Sequence, residues 1–162
     1  KTSEMEKGYS ALIYGATGAV GRELVQELLN SPKWDTVHVV SGDNFKSGHS
    51  IPIKPNSKSN SSKTWTKFSN LTNSNTRALT HCSVVSDPNK AWKETFVKVD
   101  KTYPLSAADI ALKNGIPHYL LVSSIGADEK SWFLYPRTKG EVERDLRAKK
   151  LPLLTIFRPG LL

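Results

Sequence analysis

At 162 residues, 38% of them hydrophobic, the chain is long enough for one domain with a real core and too short for two. No apolar run approaches the ~18 residues of a membrane span, and the polar N-terminus KTSEMEKGYS has no signal-peptide core. The net charge of +8 is spread over scattered lysines, not a basic block interleaved with aromatics, so nucleic-acid binding ranks as a minor reading.

Cys82 is the single cysteine, which rules out an internal disulfide and fits a reducing, intracellular, cytoplasmic setting. The chain begins at Lys1 without an initiator Met, so a removed organelle-targeting peptide, and with it a mitochondrial location, stays open as the alternative. Residues 1–8 read as a polar extension and 9–162 as one domain.

SALIYGATGAVGRELVQELLN predicts a short strand at Ser10 to Tyr14, a glycine turn and a helix whose buried face is Val20, Leu24, Val25, Leu28 and Leu29, stopped by Pro32. Thr36 to Ser41 is a β-branched run of strand length, which makes strand, helix, strand: a parallel βαβ unit. Residues 54–76 are mostly Lys, Asn, Ser and Thr, with little to bury, and read as a mobile insertion with at most a short strand near Trp65 to Phe68. Cys82 to Val85 is the candidate central strand.

A helical pattern then runs through Leu105, Ala108, Ile110, Ala111 and Leu112 and stops at Gly115. Pro104 is expected to kink or restart it, with Asp100 or Thr102 as cap. Tyr119 to Ser123 is a buried strand, a helix begins near Tyr135, and Pro152 to Phe157 gives a last strand.

Two groups of residues carry chemistry. Gly15, Gly18 and Gly21 stand between strand and helix, where backbone N–H groups and the helix dipole can meet a pyrophosphate; Thr17, Ala19 and Val20 complete that candidate loop, and Arg22 is a nearby base. At the end of the second strand, Ser41 and Gly42 leave room for a ribose phosphate, Lys46 is the nearest base and Asp43 opposes it. The reading is NADP(H), with NAD(H) as the alternative.

The second group lies in LLVSSIGADEKSWFLYPRTKGEVE. Ser124 ends a buried strand, Tyr135 follows, and Lys139 falls four residues further on the same helix face. A phenol near pKa 10 is a poor base at neutral pH, and an adjacent ammonium stabilises its phenolate. Competing with this is a plain amphipathic helix, in which Leu134 packs as a staple, Pro136 fits the first turn and Glu141, Glu143, Arg144 and Arg147 form a solvated face. Trp132 and Phe133 are read as core cover, with substrate lining as the alternative, and Arg158 as a backbone anchor. His81 and His118 lack partners at ligand spacing, so no metal site is expected.

GATGAVGREL, FVKVD, VSSIGAD, FLYPRTKGEVE and FRPG, taken in order, resemble the short-chain dehydrogenase/reductase superfamily, and within it the atypical branch of the Tat-interacting-protein oxidoreductases and related fungal mitochondrial proteins. The resemblance implies an α/β, Rossmann-like doubly wound parallel sheet with helices on both faces, three layers in all. It also implies Tyr135 as proton donor or acceptor, Lys139 as modulator and ribose ligand, and Ser124 (with Ser123 second) as the substrate's hydrogen-bond partner. Asp100 falls near the position of a helix asparagine that supports a proton relay in many members. The partners implied are a nicotinamide dinucleotide and a small carbonyl or alcohol.

The departures from the branch are Gly42 and Asp43 where basic residues are usual, Lys67 near an expected Asp, SDPNKAW in place of a Gly/Thr loop, and an end at Leu162 where relatives continue into a substrate segment. They support a second reading, a cofactor-binding regulatory or scaffold protein with a protein partner and little turnover.

Overall fold

A computed structural model of the chain describes residues 8–40, 49–53, 66–67, 75–82 and 92–160. Its strands are β1 (Tyr9–Tyr14), β2 (Trp34–Val40), β3 (His49–Ile53), β4 (Thr66–Lys67), β5 (Thr76–His81), β6 (His118–Val122) and β7 (Leu153–Phe157). The helices are α1 (Ala19–Asn30), α2 (Trp92–Val97), α3 (Tyr103–Lys113) and α4 (Leu134–Ala148), with a π-helical turn, Lys98–Thr102, joining α2 to α3. Among the described residues the sheet has 7 strands in the order β4-β3-β2-β1-β5-β6-β7. In the order β2-β1-β5-β6-β7 the pairings are all parallel, while β3 and β4 extend the β2 edge antiparallel, and of these two the sequence reading did not foresee β3.

Both faces of the sheet are apolar, as a parallel sheet covered on both sides requires. Alternation along β1 sends Ala11 and Ile13 to one face and Leu12 and Tyr14 to the other. The first face meets α1 through Val20, Leu24, Val25, Leu28 and Leu29, the face predicted for that helix. The second meets α3 and α4, where Ala107, Ala108 and Ala111 let α3 lie close and Val142 and Leu146 come from α4. Of the pattern predicted for α3, Leu112 alone is exposed. Gly115, with φ +63°, ends the helix as expected.

Three expectations need correction or placing. The strand beside β1 is β5, ahead of the predicted Cys82 to Val85: Cys82 follows the strand's end, and 83–85 lie outside the described residues. Thr102 stands at the N-cap position of α3 but makes no side-chain cap bond, and Asp100 lies inside the π-turn instead of capping. Pro104 accounts for that turn, because it has no N–H for the Asp100 carbonyl and its ring crowds it, so the preceding turn widens. The short strand expected near Trp65 to Phe68 is β4, whereas 54–65 and 68–74 of the predicted insertion lie outside the described residues. Among the described residues no helix is long and apolar enough to cross a membrane.

Candidate cofactor and catalytic site

The chain leaves β1, moves outward to β2, and returns across β1 to β5, so the sheet reverses direction between β1 and β5. At such a reversal the loops beyond the carboxyl ends of the strands diverge and leave a crevice. Gly15, at φ +77°, turns the chain out of β1, and the Gly18 N–H donates to the Gly15 carbonyl at 3.1 Å. Gly21 is buried where a Cβ would lie 2.0 Å from the Gly15 oxygen, so the helix can sit on the loop only without a side chain. At Gly18 a Cβ would meet nothing nearer than 3.5 Å, and Thr17, Gly18 and Ala19 are exposed.

The first turn of α1 has no side-chain cap bond from Gly18 and no acidic residue, so among the described residues its N–H groups and dipole are not met by a side chain of its own turn. That surface fits an anionic pyrophosphate. Val20 packs its side chain into the core, leaving only its backbone for a ligand. Ser41, with Gly42, Asp43 and Lys46, lies outside the described residues.

On the opposite side of the sheet, α4 brings Tyr135 and Lys139 to the same edge. The Tyr135 ring stacks on Phe96 of α2, centroids 5.5 Å apart and planes at 26°, and the Lys139 ammonium lies 5.8 Å from the Tyr135 centroid. Lys139 is not open to the crevice. It is 2% exposed and its Nζ donates to the carboxylate of Asp100, itself 0% exposed, on the π-turn. His81, ending β5, faces the same ammonium: full burial, together with the Lys139 charge, pushes its imidazole down to about 3, against a hydrogen bond to the Val99 backbone. Its ring stacks on Tyr14 at 5.7 Å, and burial holds the Tyr14 phenol well above its usual range. A continuous buried polar layer therefore runs from the glycine loop through His81 to Lys139.

The two serines have different partners. Ser123 is buried and donates to Glu143 Oε1 at 2.6 Å, whereas Ser124 is half-buried and donates to the Ile125 carbonyl at 3.1 Å, a local bond a ligand could displace. Glu143, expected on a solvated face, is buried and also accepts from Arg158 (Nε 2.9 Å, Nη2 2.6 Å) and Arg147 (3.0 Å). Burial opposes its ionisation, but the bonds from Arg158, Ser123 and Arg147 outweigh it and hold the carboxyl below its usual range. Arg158 thus anchors a side chain, not the backbone. The missed signal was spacing: residues 139, 142, 143 and 146 follow i, i+3, i+4, i+7, which is one helix face. Asp100 and His81 carried no such signal, since their partner is distant in sequence.

Between Ser124 and Tyr135 the loop is fastened to α4. Asp128 N–H donates to the Pro136 carbonyl at 3.0 Å, and at Gly140 a Cβ would lie 2.1 Å from Glu129 N. Trp132 and Phe133, read as core cover, instead stand at the rim, 94% and 77% exposed.

A parallel sheet that reverses direction between β1 and β5, with a glycine loop entering α1, is the Rossmann-like fold. In agreement, the chain superposes on a short-chain dehydrogenase/reductase superfamily protein from Agrobacterium tumefaciens with bound NAD (TM-score 0.62, 15% identity, 92% of this chain, 48% of that one). No protein-family model matches the chain. Among curated proteins it is 31% identical to protein HTATIP2 of Rattus norvegicus over 94% of its length and 62% of the relative's, and 32% identical to the mitochondrial protein FMP52 of Candida albicans (94% and 67%). The chain belongs to the HTATIP2/FMP52 family and spans about two thirds of the length of these relatives.

Proposed function

We propose that the chain forms the nucleotide-binding part of an NADP(H)-dependent oxidoreductase acting on a small carbonyl or alcohol. The observation that carries this reading is the placement of Tyr135 and Lys139 on one helix face at the same sheet edge as an uncapped glycine loop. The Gly15 to Gly18 turn and the first N–H groups of α1 hold the pyrophosphate, and the preference for NADP over NAD rests on the sequence alone, on the small residues Ser41 and Gly42. The nicotinamide supplies or accepts the hydride. Ser124 exchanges its bond to the Ile125 carbonyl for one to the substrate oxygen, and the Tyr135 phenol gives that oxygen a proton during carbonyl reduction. The resulting phenolate lies near the Lys139 ammonium and is reprotonated from solvent.

A second reading is favoured by the Lys139–Asp100 pair, which occupies the ammonium: a regulatory protein that binds the dinucleotide with little turnover. Titration with NADPH and NADH by intrinsic fluorescence, followed by a carbonyl panel, decides between them. The oxidoreductase predicts saturable binding, tighter for NADPH, and carbonyl-dependent oxidation that Tyr135→Phe lowers about 10²–10⁴-fold. Saturable binding without oxidation, the same in Tyr135→Phe, selects the regulatory reading, and no binding of either nucleotide overturns both.

A further inference from the structure

The geometry points to a second ligand site, at the amino ends of the strands: a groove beside α1 that takes a linear aliphatic carboxylate, its head held between Lys33 and Arg77. The groove lies at the opposite edge of the sheet from the glycine loop, which follows the carboxyl end of β1. It needs nothing of the oxidoreductase chemistry proposed above. Its volume is about 620 Å³, within the span of small-molecule sites, and its floor is aliphatic, built from Ala11, Leu24, Leu28, Ala78 and Leu120. Such a floor buries an alkyl chain and offers it no hydrogen bond. In the wall, His118 is already engaged, its Nε2 lying 2.9 Å from Thr155 Oγ1.

The mouth of the groove differs from its floor. Tyr9 and Trp34 meet there edge to face, centroids 6.1 Å apart, and the Arg77 guanidinium lies 5.3 Å from the Tyr9 centroid. A bulge puts Arg77 in that place. The register passes from Ser10↔Thr76 to Ala11↔Ala78, so Arg77 is an extra residue on β5, and a bulge re-aims the side chain it carries. A matching shift on the other side of β1, from Tyr9↔Trp34 to Ser10↔Thr36, makes Asp35 the extra residue of β2. Its carboxylate turns to Gly8, where a Cβ would lie 2.4 Å from it, and does not line the groove. Two cations thus reach the mouth while the neighbouring carboxylate stays out. Neither Lys33 nor Arg77 has an ion-pair partner among the described residues. Unpaired cations above an aliphatic floor complement a monoanion with a hydrocarbon tail, whereas a nucleotide or sugar would find too few hydrogen-bonding groups.

The test is calorimetric titration of the protein with octanoate, decanoate and laurate below their micellar concentrations, with ¹H–¹⁵N NMR spectra to locate the site. Saturable binding of one laurate per chain is expected, tightening about two- to fourfold per added methylene, with the largest amide shifts at Ala11, Ala78 and Leu120. Lys33→Gln/Arg77→Gln changes two exposed side chains, so the fold stands, and is expected to weaken laurate binding about tenfold. Dodecyltrimethylammonium, with the same tail and the opposite charge, is expected to bind about tenfold more weakly than laurate. Absence of saturable laurate binding, equal affinity in the double variant, equal affinity for the cationic detergent, or amide shifts confined to the Trp132 and Phe133 rim overturns the proposal. So does a dimer in sedimentation that the double variant loses, which gives the groove to a second copy of the chain. Neither nucleotide nor carbonyl is present, so failure of the oxidoreductase reading leaves these titrations fully readable.

Discussion

Gly18 and Gly21 differ in what a methyl group would meet. At Gly21 it would meet the Gly15 carbonyl at 2.0 Å, and at Gly18 only open space and an ordinary contact at 3.5 Å. Gly21→Ala is therefore expected to destabilise the protein by about 2 kcal/mol or more through backbone displacement. Gly18→Ala is expected to leave urea unfolding within about 0.5 kcal/mol of the parent; on the proposed function it weakens dinucleotide binding about tenfold or more, because its methyl would fill the space proposed for the pyrophosphate. Equal losses of stability in the two variants would contradict this division. The three-glycine spacing was legible in the sequence; which glycine packs and which lies open was not, because that depends on the path of the Gly15 carbonyl.

At the scale of elements, Glu143 ties β6, α4 and the segment after β7 together through Ser123 and Arg158. Ser123→Ala removes a hydrogen bond to a buried carboxylate and is expected to lower stability by about 2 kcal/mol. Ser124→Ala removes only a local bond and should change stability by less than ~0.5 kcal/mol; on the proposed function its effect appears in carbonyl turnover. Paired urea melts check the first statement and steady-state rates the second. The elements rich in apolar periodicity, β1, α1, α3 and β6, were readable because burial on one or both faces writes itself into spacing. β5 was not, because its buried positions include Thr76, Thr80 and His81, polar residues turned inward. The π-turn escaped for a related reason: Pro104 announced an irregularity, but whether the helix breaks or widens is decided by packing against α4.

For the molecule as a whole, the buried polar layer predicts sensitivity to acid. The folded state keeps His81 neutral down to about pH 3, whereas an unfolded histidine takes up a proton near 6.5. The unfolded state thus binds more protons across that window, so this contribution is complete above about pH 6.5 and declines on acidification by at most about 1.4 kcal/mol per pH unit. Glu143 adds a second loss lower down: its depressed carboxyl stabilises the fold above its ordinary range, about 4.3, and ceases to do so as pH falls through the folded value. Urea midpoints measured from pH 7.5 to 4.5 should fall steeply below 6.5, and His81→Gln should flatten the upper part of that slope. A parent midpoint constant down to pH 5 would contradict the burial of a neutral His81.

The fastening of the 125–131 loop to α4 at Gly140 and Pro136 has an evolutionary consequence. The distance between Ser124 and Tyr135 is fixed by that clamp and by the sheet, while the side chains of Trp132 and Phe133 project beyond it and only their backbones serve the start of α4. On the proposed function, mutation can therefore redraw what the rim recognises without detuning the groups beneath, so that new specificities can arise in small steps while the chemistry stays protected.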